Sequence, residues 1–194
     1  MSDRRERILA ALPSASPLRL PLPTSPRPAL GGESRAVFEQ RLRTAEAEVV
    51  SLPRTEAVPA WLEQQFPEQT WRIAPGLREL DWSALGGRVA FDEDRSGAVS
   101  LARCGVAETG ALVLTSGPET PTRLNFLPDR EVVILETSRI VSHLEDAWAL
   151  LRQSADFPPR VLNFVTGPSR TADIEQTIQL GAHGPCALVV LLIG

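Results

Sequence analysis

The run Thr166-Gly-Pro-Ser-Arg-Thr-Ala-Asp-Ile-Glu175 gathers hydroxyls and carboxylates directly after an apolar, strand-like segment, Arg160–Val165. Gly167 and Pro168 make a turn, and a helix is expected from about Thr171. Ser169, Thr171 or Asp173 can cap that helix by accepting from its free amides. The remaining amides and the helix dipole attract an anion. One reading is a pocket for a carboxylate or phosphate at the carboxyl end of a parallel strand, where α/β sheets bind ligands. In that reading Gly167→Asp removes ligand binding and leaves the fold intact. The other reading is a well-capped strand–helix turn. Asp173 and Glu175 favour it, because they already occupy the positive end and repel an anion.

Three further groups of residues could complete a site. Gly181-Ala-His183-Gly184-Pro185 shapes a return turn, and His183 can act as an acid, a base or a ligand contact, or simply bond to backbone. Gly105-Val-Ala-Glu108-Thr109-Gly110 joins two candidate strands. Glu108 there is either a nucleophile or base, with Gly110 admitting a ligand to the backbone, or a solvated carboxylate on a tight turn. Arg123 is the one cation in the proline-rich loop Ser116–Pro128, and it suits a carboxylate partner or a plain surface position. Gly167-Pro-Ser169-Arg-Thr171 approaches a hydrolase nucleophile elbow, but Thr171 stands where the second glycine belongs. His143 and His183 are the only histidines, and no carboxylate cluster has ligand spacing, so no metal site is expected. Phosphate-binding glycine motifs are absent, and no cofactor is expected.

The elements that must position these groups follow from periodicity. Phe38, Leu42, Ala45, Val49 and Leu52 form one apolar stripe, which predicts a helix over Ser34–Leu52. A second helix opens near Thr55 or Val58-Pro59 and carries Trp61, Leu62 and Phe66. Strands are expected at Thr70–Ala74, Arg88–Phe91, Ala98–Arg103, Ala111–Thr115, Glu131–Leu135, Arg160–Val165 and Ala187–Ile193, with a helix over Ile140–Gln153. The continuous apolar runs ALVLT and EVVIL suit strands covered on both faces. Strands alternating with helices predict an α/β fold, a largely parallel sheet with helices on both faces.

Composition narrows the classes. The chain has 194 residues, 43% hydrophobic, which suits one globular domain with its own core. Its basic residues are all Arg, so Schiff-base lysine chemistry is excluded. A net charge of −4 gives no basic field for nucleic acid or a membrane surface. Two cysteines, Cys104 and Cys186, cannot supply four thiolates to an iron–sulfur cluster. Residues 1–32 read as a short helix and a proline-rich arm, either a tail or a strap for a partner, and 33–194 as the α/β domain. Met1–Leu12 lacks a signal-peptide pattern, and the longest apolar run, Cys186–Ile193, is too short to span a bilayer. The expected compartment is therefore the cytoplasm.

Taken together, Ala107-Glu-Thr-Gly110, the Arg123…Leu127-Pro128 loop, Gly167-Pro-Ser-Arg-Thr-Ala-Asp-Ile-Glu175 and Gly181-Ala-His-Gly-Pro185 resemble the LUD domain family, of the lactate-utilisation protein C (LutC/YkgG) type. The resemblance runs from about Val99 to the C-terminus. It implies an open, Rossmann-like parallel sheet, a fold similar to the NagB/RpiA/CoA transferase-like proteins. It also implies a place in a three-protein system that oxidises L-lactate, whose partner proteins carry the iron–sulfur clusters. Three functions follow as expectations. The first is an accessory subunit binding a small carboxylate or a partner protein through Glu108–Gly110, Thr166–Glu175 and Gly181–Pro185. The second is a transferase or isomerase using Glu108. The third is an assembly protein docking through its N-terminal arm.

Overall fold

The computed structural model describes residues 27–92, 96–174, 177–180 and 184–194, and positions 4, 6, 7 and 10 near the start; for 171–174 and 177–180 it describes the backbone course alone. In chain order the regular elements are α1 (Ser34–Thr44), β1 (Glu48–Leu52), α2 (Val58–Gln65), β2 (Trp71–Ile73), β3 (Val89–Ala90), β4 (Gly97–Leu101), β5 (Cys104–Val106), β6 (Ala111–Thr115), β7 (Arg130–Glu136), β8 (Ile140–Val141), α3 (Leu144–Arg152), β9 (Leu162–Val165), β10 (Arg170–Ile174), β11 (Thr177–Leu180) and β12 (Ala187–Ile193).

The central sheet is parallel throughout, in the order β1-β12-β7-β4-β2-β3. Its interior strands β7 and β12 are buried on both faces, as the apolar runs Val132–Leu135 and Ala187–Ile193 require. Successive side chains alternate between faces. Val132, Ile134, Val189 and Leu191 meet Val58 and Leu62 of α2 on one side. Val133, Leu135, Val190 and Leu192 meet Phe38 and Leu42 of α1 on the other. Helices thus cover both faces, as the sequence predicts.

The second face carries something more. A four-stranded sheet, β8-β5-β6-β9, packs Leu112 and Leu114 against the central sheet. Its opposite face buries Cys104, Val106 and Val113 beneath Ala147 and Leu151 of α3. The chain passes from the central sheet to this smaller one over Ala102 and Arg103, whose amides donate to the Ile134 and Val113 carbonyls at 2.9 and 2.8 Å.

Four expectations are corrected. The helix over Ser34–Leu52 stops at Thr44, because Glu46 adopts a left-handed conformation (φ 64°) and Glu48–Leu52 pairs with β12. Tertiary pairing overrides a stripe that continues by coincidence through Val49 and Leu52. The helix over Ile140–Gln153 begins only at Leu144, since Ile140 and Val141 pair with Gly105 and Val106. No helix starts at Thr171. The chain makes the antiparallel hairpin β10–β11 instead. Thr171, Ile174, Thr177 and Ile178 are β-branched, which costs rotamer freedom in a helix and suits a strand. Finally, β9 is not a strand of the parallel sheet: it runs antiparallel to β6 at the edge of the smaller one.

Candidate functional site

Two hollows are lined by residues of both sheets, one toward each end of the central strands. At the carboxyl ends of β4 and β7 lies a cleft of about 780 Å³. Its floor is Leu101, Ala102 and Ile134, and its polar wall includes Arg103, Arg139, Arg160, Glu119, Glu136 and Asp156. Residues 115–120 form one side, held by the Thr120 hydroxyl donating to the Thr115 carbonyl at 2.7 Å. Ser116 locks that side to Val161: its amide donates to the Val161 carbonyl and the Val161 amide donates to its Oγ, both at 2.9 Å. Arg139 Nε donates to Glu136 at 3.1 Å. Arg103 and Arg160 have no carboxylate partner among the described residues, so two guanidiniums remain available for bidentate anion contacts.

At the amino ends of β7 and β12 lies a smaller pocket of about 260 Å³. Thr166, Gly167, Ser169 and Gly184 line it, so half of the residues singled out in the last quarter of the sequence meet there. Thr166–Ser169 follow the edge strand β9 and Gly184 precedes β12, which places them at the opposite end of the parallel sheet from its carboxyl-end cleft. The Ser169 amide donates to the Pro185 carbonyl at 2.8 Å and fixes the two loops together. A Cβ on Gly167 would stand 2.6 Å from the Ala45 carbonyl oxygen at the end of α1. That glycine is a packing requirement, and the expectation that Gly167→Asp spares the fold is withdrawn. The pocket floor is Glu131, 1% exposed, with the Ser100 hydroxyl donating to its Oε1 at 2.8 Å. Burial pushes this carboxyl up to about 7, against the smaller opposing effect of the Ser100 bond.

Glu108 lines neither hollow. Its turn follows β5, and its two oxygens accept from His143 Nδ1 at 2.9 Å and from the Leu144 amide at 2.7 Å. The His143 bond first, and the Leu144 amide second, hold its carboxyl below the usual range. The carboxylate therefore caps α3, whose next turn is tied by Asp146 accepting from the His143 amide at 3.1 Å. Gly110 is left-handed (φ 69°), and a Cβ there would sit 2.6 Å from Arg41 Cβ, so this turn packs flush on α1. Thr109 is exposed beside it.

The remaining predicted residues disperse. Arg123 is exposed on a short helical turn, Thr122–Asn125, and lines neither hollow. Thr171 and Asp173 are placed by backbone in β10, while Glu175 and His183 lie outside the described residues. Cys104 is buried, and burial raises its thiol to about 11, which removes it as a nucleophile at neutral pH. Among the described residues no cluster of His, Cys, Asp and Glu is placed to hold a metal ion, and no helix is long and apolar enough to cross a membrane. Sequence reasoning missed Arg103, Arg139, Arg160 and Glu131. The first three border strand ends, but the signal that joins them is the pairing of β5, β6 and β9 into a second sheet.

Comparison with known proteins places this geometry. The LUD domain model matches residues 96–193, which include both hollows' strands and the Glu108 turn. A Neisseria meningitidis protein, "Uncharacterized protein NMB1437", is 35% identical over 117 residues, 60% of this chain and 48% of that protein. "Lactate utilization protein C" of Bacillus licheniformis is 30% identical over 123 residues, 61% of this chain and 51% of the relative. The chain spans about half the length of these curated relatives. The crystal structure of a DUF162 family protein from Deinococcus radiodurans superposes with a TM-score of 0.67 over 86% of this chain and 100% of the other, at 19% identity. At that identity the likeness establishes the fold alone.

Proposed function

Because this chain belongs to the LUD domain family, we propose that it serves lactate utilisation as a ligand-holding component, with a small carboxylate seated in the cleft at the carboxyl ends of β4 and β7. The observation that carries the reading is the pair of guanidiniums, Arg103 and Arg160, facing that cleft without carboxylate partners among the described residues. A planar carboxylate accepts two parallel N–H bonds from a guanidinium, and the neighbouring Ser116 and Thr120 hydroxyls suit a substrate hydroxyl or carbonyl. The cleft also lies where open parallel sheets hold their ligands. The names of the relatives supply the lactate connection.

The chain's two cysteines cannot build a four-thiolate cluster, so in this proposal the electron-transfer steps belong to iron–sulfur partner proteins. The alternative of a transferase or isomerase using Glu108 asks more of the molecule. That carboxylate would have to leave both His143 and the Leu144 amide before it could attack a substrate.

The test is a thermal-shift titration of the purified chain with lactate and pyruvate, repeated on Arg103→Ala. A ligand at 100 times its dissociation constant adds about 2.7 kcal/mol to the folded state, a readable shift. Wild-type protein is expected to respond and Arg103→Ala to lose the response. A flat titration of folded wild-type protein with both acids sinks the proposal, and an unchanged response in Arg103→Ala removes the assigned cleft.

A further inference from the structure

The amino-end pocket has a chemistry of its own, independent of the carboxylate reading. Its lining holds one ionisable group among the described residues, Glu131, and no arginine. A carboxyl that is 1% exposed and held by the Ser100 hydroxyl is costly to keep in a core position. On β7 it occupies the inward face that Val133 and Leu135 continue as plain hydrocarbons, so packing alone would be served by another aliphatic residue. The carboxyl stands at the floor of a hollow that opens to solvent, with its Oε1 engaged by Ser100. Around it are the buried amide of Asn125, the hydroxyls of Ser169 and Thr166, and Phe126. Phe126 is 41% exposed and lines the same hollow.

Carboxylate, hydroxyls and an aromatic ring form the recognition set of an ammonium compound: a charge partner, hydrogen-bond acceptors, and a π-system that packs on the guest's carbon skeleton or attracts its charge through its face. An anion meets the opposite field here. We propose that this pocket is a second binding site, which takes a small organic cation with its primary or substituted ammonium seated on Glu131 and its apolar part against Phe126. The volume of about 260 Å³ limits the guest to a small metabolite-sized amine and excludes a nucleotide or an acyl-CoA.

The experiment uses the full chain at pH 8, where the Glu131 carboxyl is ionised, and a graded set of ammonium ions from ethylammonium to phenethylammonium, with phenethyl alcohol as the uncharged match. Binding is read by calorimetry and by chemical-shift perturbation. The proposal expects at least one ammonium ion to bind, the alcohol to bind about tenfold more weakly or not at all, and Glu131→Gln to lose about tenfold or more in affinity. Glu131→Gln preserves the shape and removes only the charge, so a folded variant is expected. Phe126→Ala, at an exposed position, is the second probe and should weaken the phenethylammonium complex more than the ethylammonium one. Equal affinity in Glu131→Gln, equal binding of amine and alcohol, or no binding by any ammonium ion up to ~10 mM overturns the assignment.

Discussion

The two ends of the central sheet contrast in construction. The carboxyl-end cleft is roomy, mixed in charge and walled by irregular segments at 115–120 and 154–160. The amino-end pocket is a third of that volume, acidic at its floor and built on close backbone packing at Gly167 and Gly184. Both are lined by residues of the two sheets that the Ala102–Arg103 crossing joins. The difference teaches that the motif-rich loops need not lie at the carboxyl end, where open parallel sheets generally hold ligands. Here the sequence motifs mark the tightly packed end, and the free cations gather at the open one.

The comparison can be broken most sharply with paired glycine substitutions. Gly167→Ala places a carbon 2.6 Å from the Ala45 carbonyl, whereas Gly117→Ala, in the cleft wall, meets only Thr120 Oγ1 at 3.8 Å. Gly167→Ala is expected to cost about 3 kcal/mol and Gly117→Ala no more than about 0.5 kcal/mol, measured by urea unfolding. Equal costs would remove the contrast between a rigid and an open end.

The second test follows the buried acid. Glu131 binds its proton more tightly folded than unfolded, so its contribution to stability falls as pH rises from about 4.5 through about 7. Between pH 5 and pH 8 the loss is about 2–3 kcal/mol, while Glu131→Gln lacks this pH dependence. The variant is expected to be the more stable protein at pH 8, and the gap should close at pH 5. A difference independent of pH would mean that the carboxyl is not protonated on folding.

The smallest effect belongs to Glu108, which serves neither end. Its depressed pKa means that its contribution is present at neutral pH and is lost as pH falls through the folded-state value. Glu108→Gln is expected to cost about 1–2 kcal/mol at pH 7, through weakened bonds to His143 and the Leu144 amide. It should leave the response to lactate or pyruvate unchanged. A folded Glu108→Gln protein that loses that response would instead tie this turn to the cleft.

Much of the fold was legible in the residues. β6 and β12 have the limits that their apolar runs predict, and β7 extends its predicted span by one residue at each end. α2 follows Pro59 in its first turn, as the start signal requires. The errors fall where a local pattern fits two structures. Val49 and Leu52 extend the stripe of α1, yet belong to β1, because only β12 can say that Glu48–Leu52 has a partner. Ile140 and Val141 continue the face of α3, yet pair with β5. Cys104–Val106 is too short to read as a strand without β6 beside it. In the candidate site, Gly167 and Gly184 were legible as special positions, but their reason, contact with Ala45 and Ser169, was not.

By itself the sequence determined the elements that depend on side-chain chemistry alone: the buried strands from their apolar runs, the turns from Gly and Pro, and the lack of lysine chemistry or a four-thiolate cluster. Tertiary structure decided what depends on which strand lies beside which. It assigned β9 to a second sheet, sent the Gly167–Ser169 loop to the amino end, brought Arg103 and Arg160 to one cleft, and buried Glu131 under a pocket. The physical reason is that strand pairing joins backbone groups far apart in the chain, and backbone hydrogen bonds carry no side-chain signature from which a partner can be read.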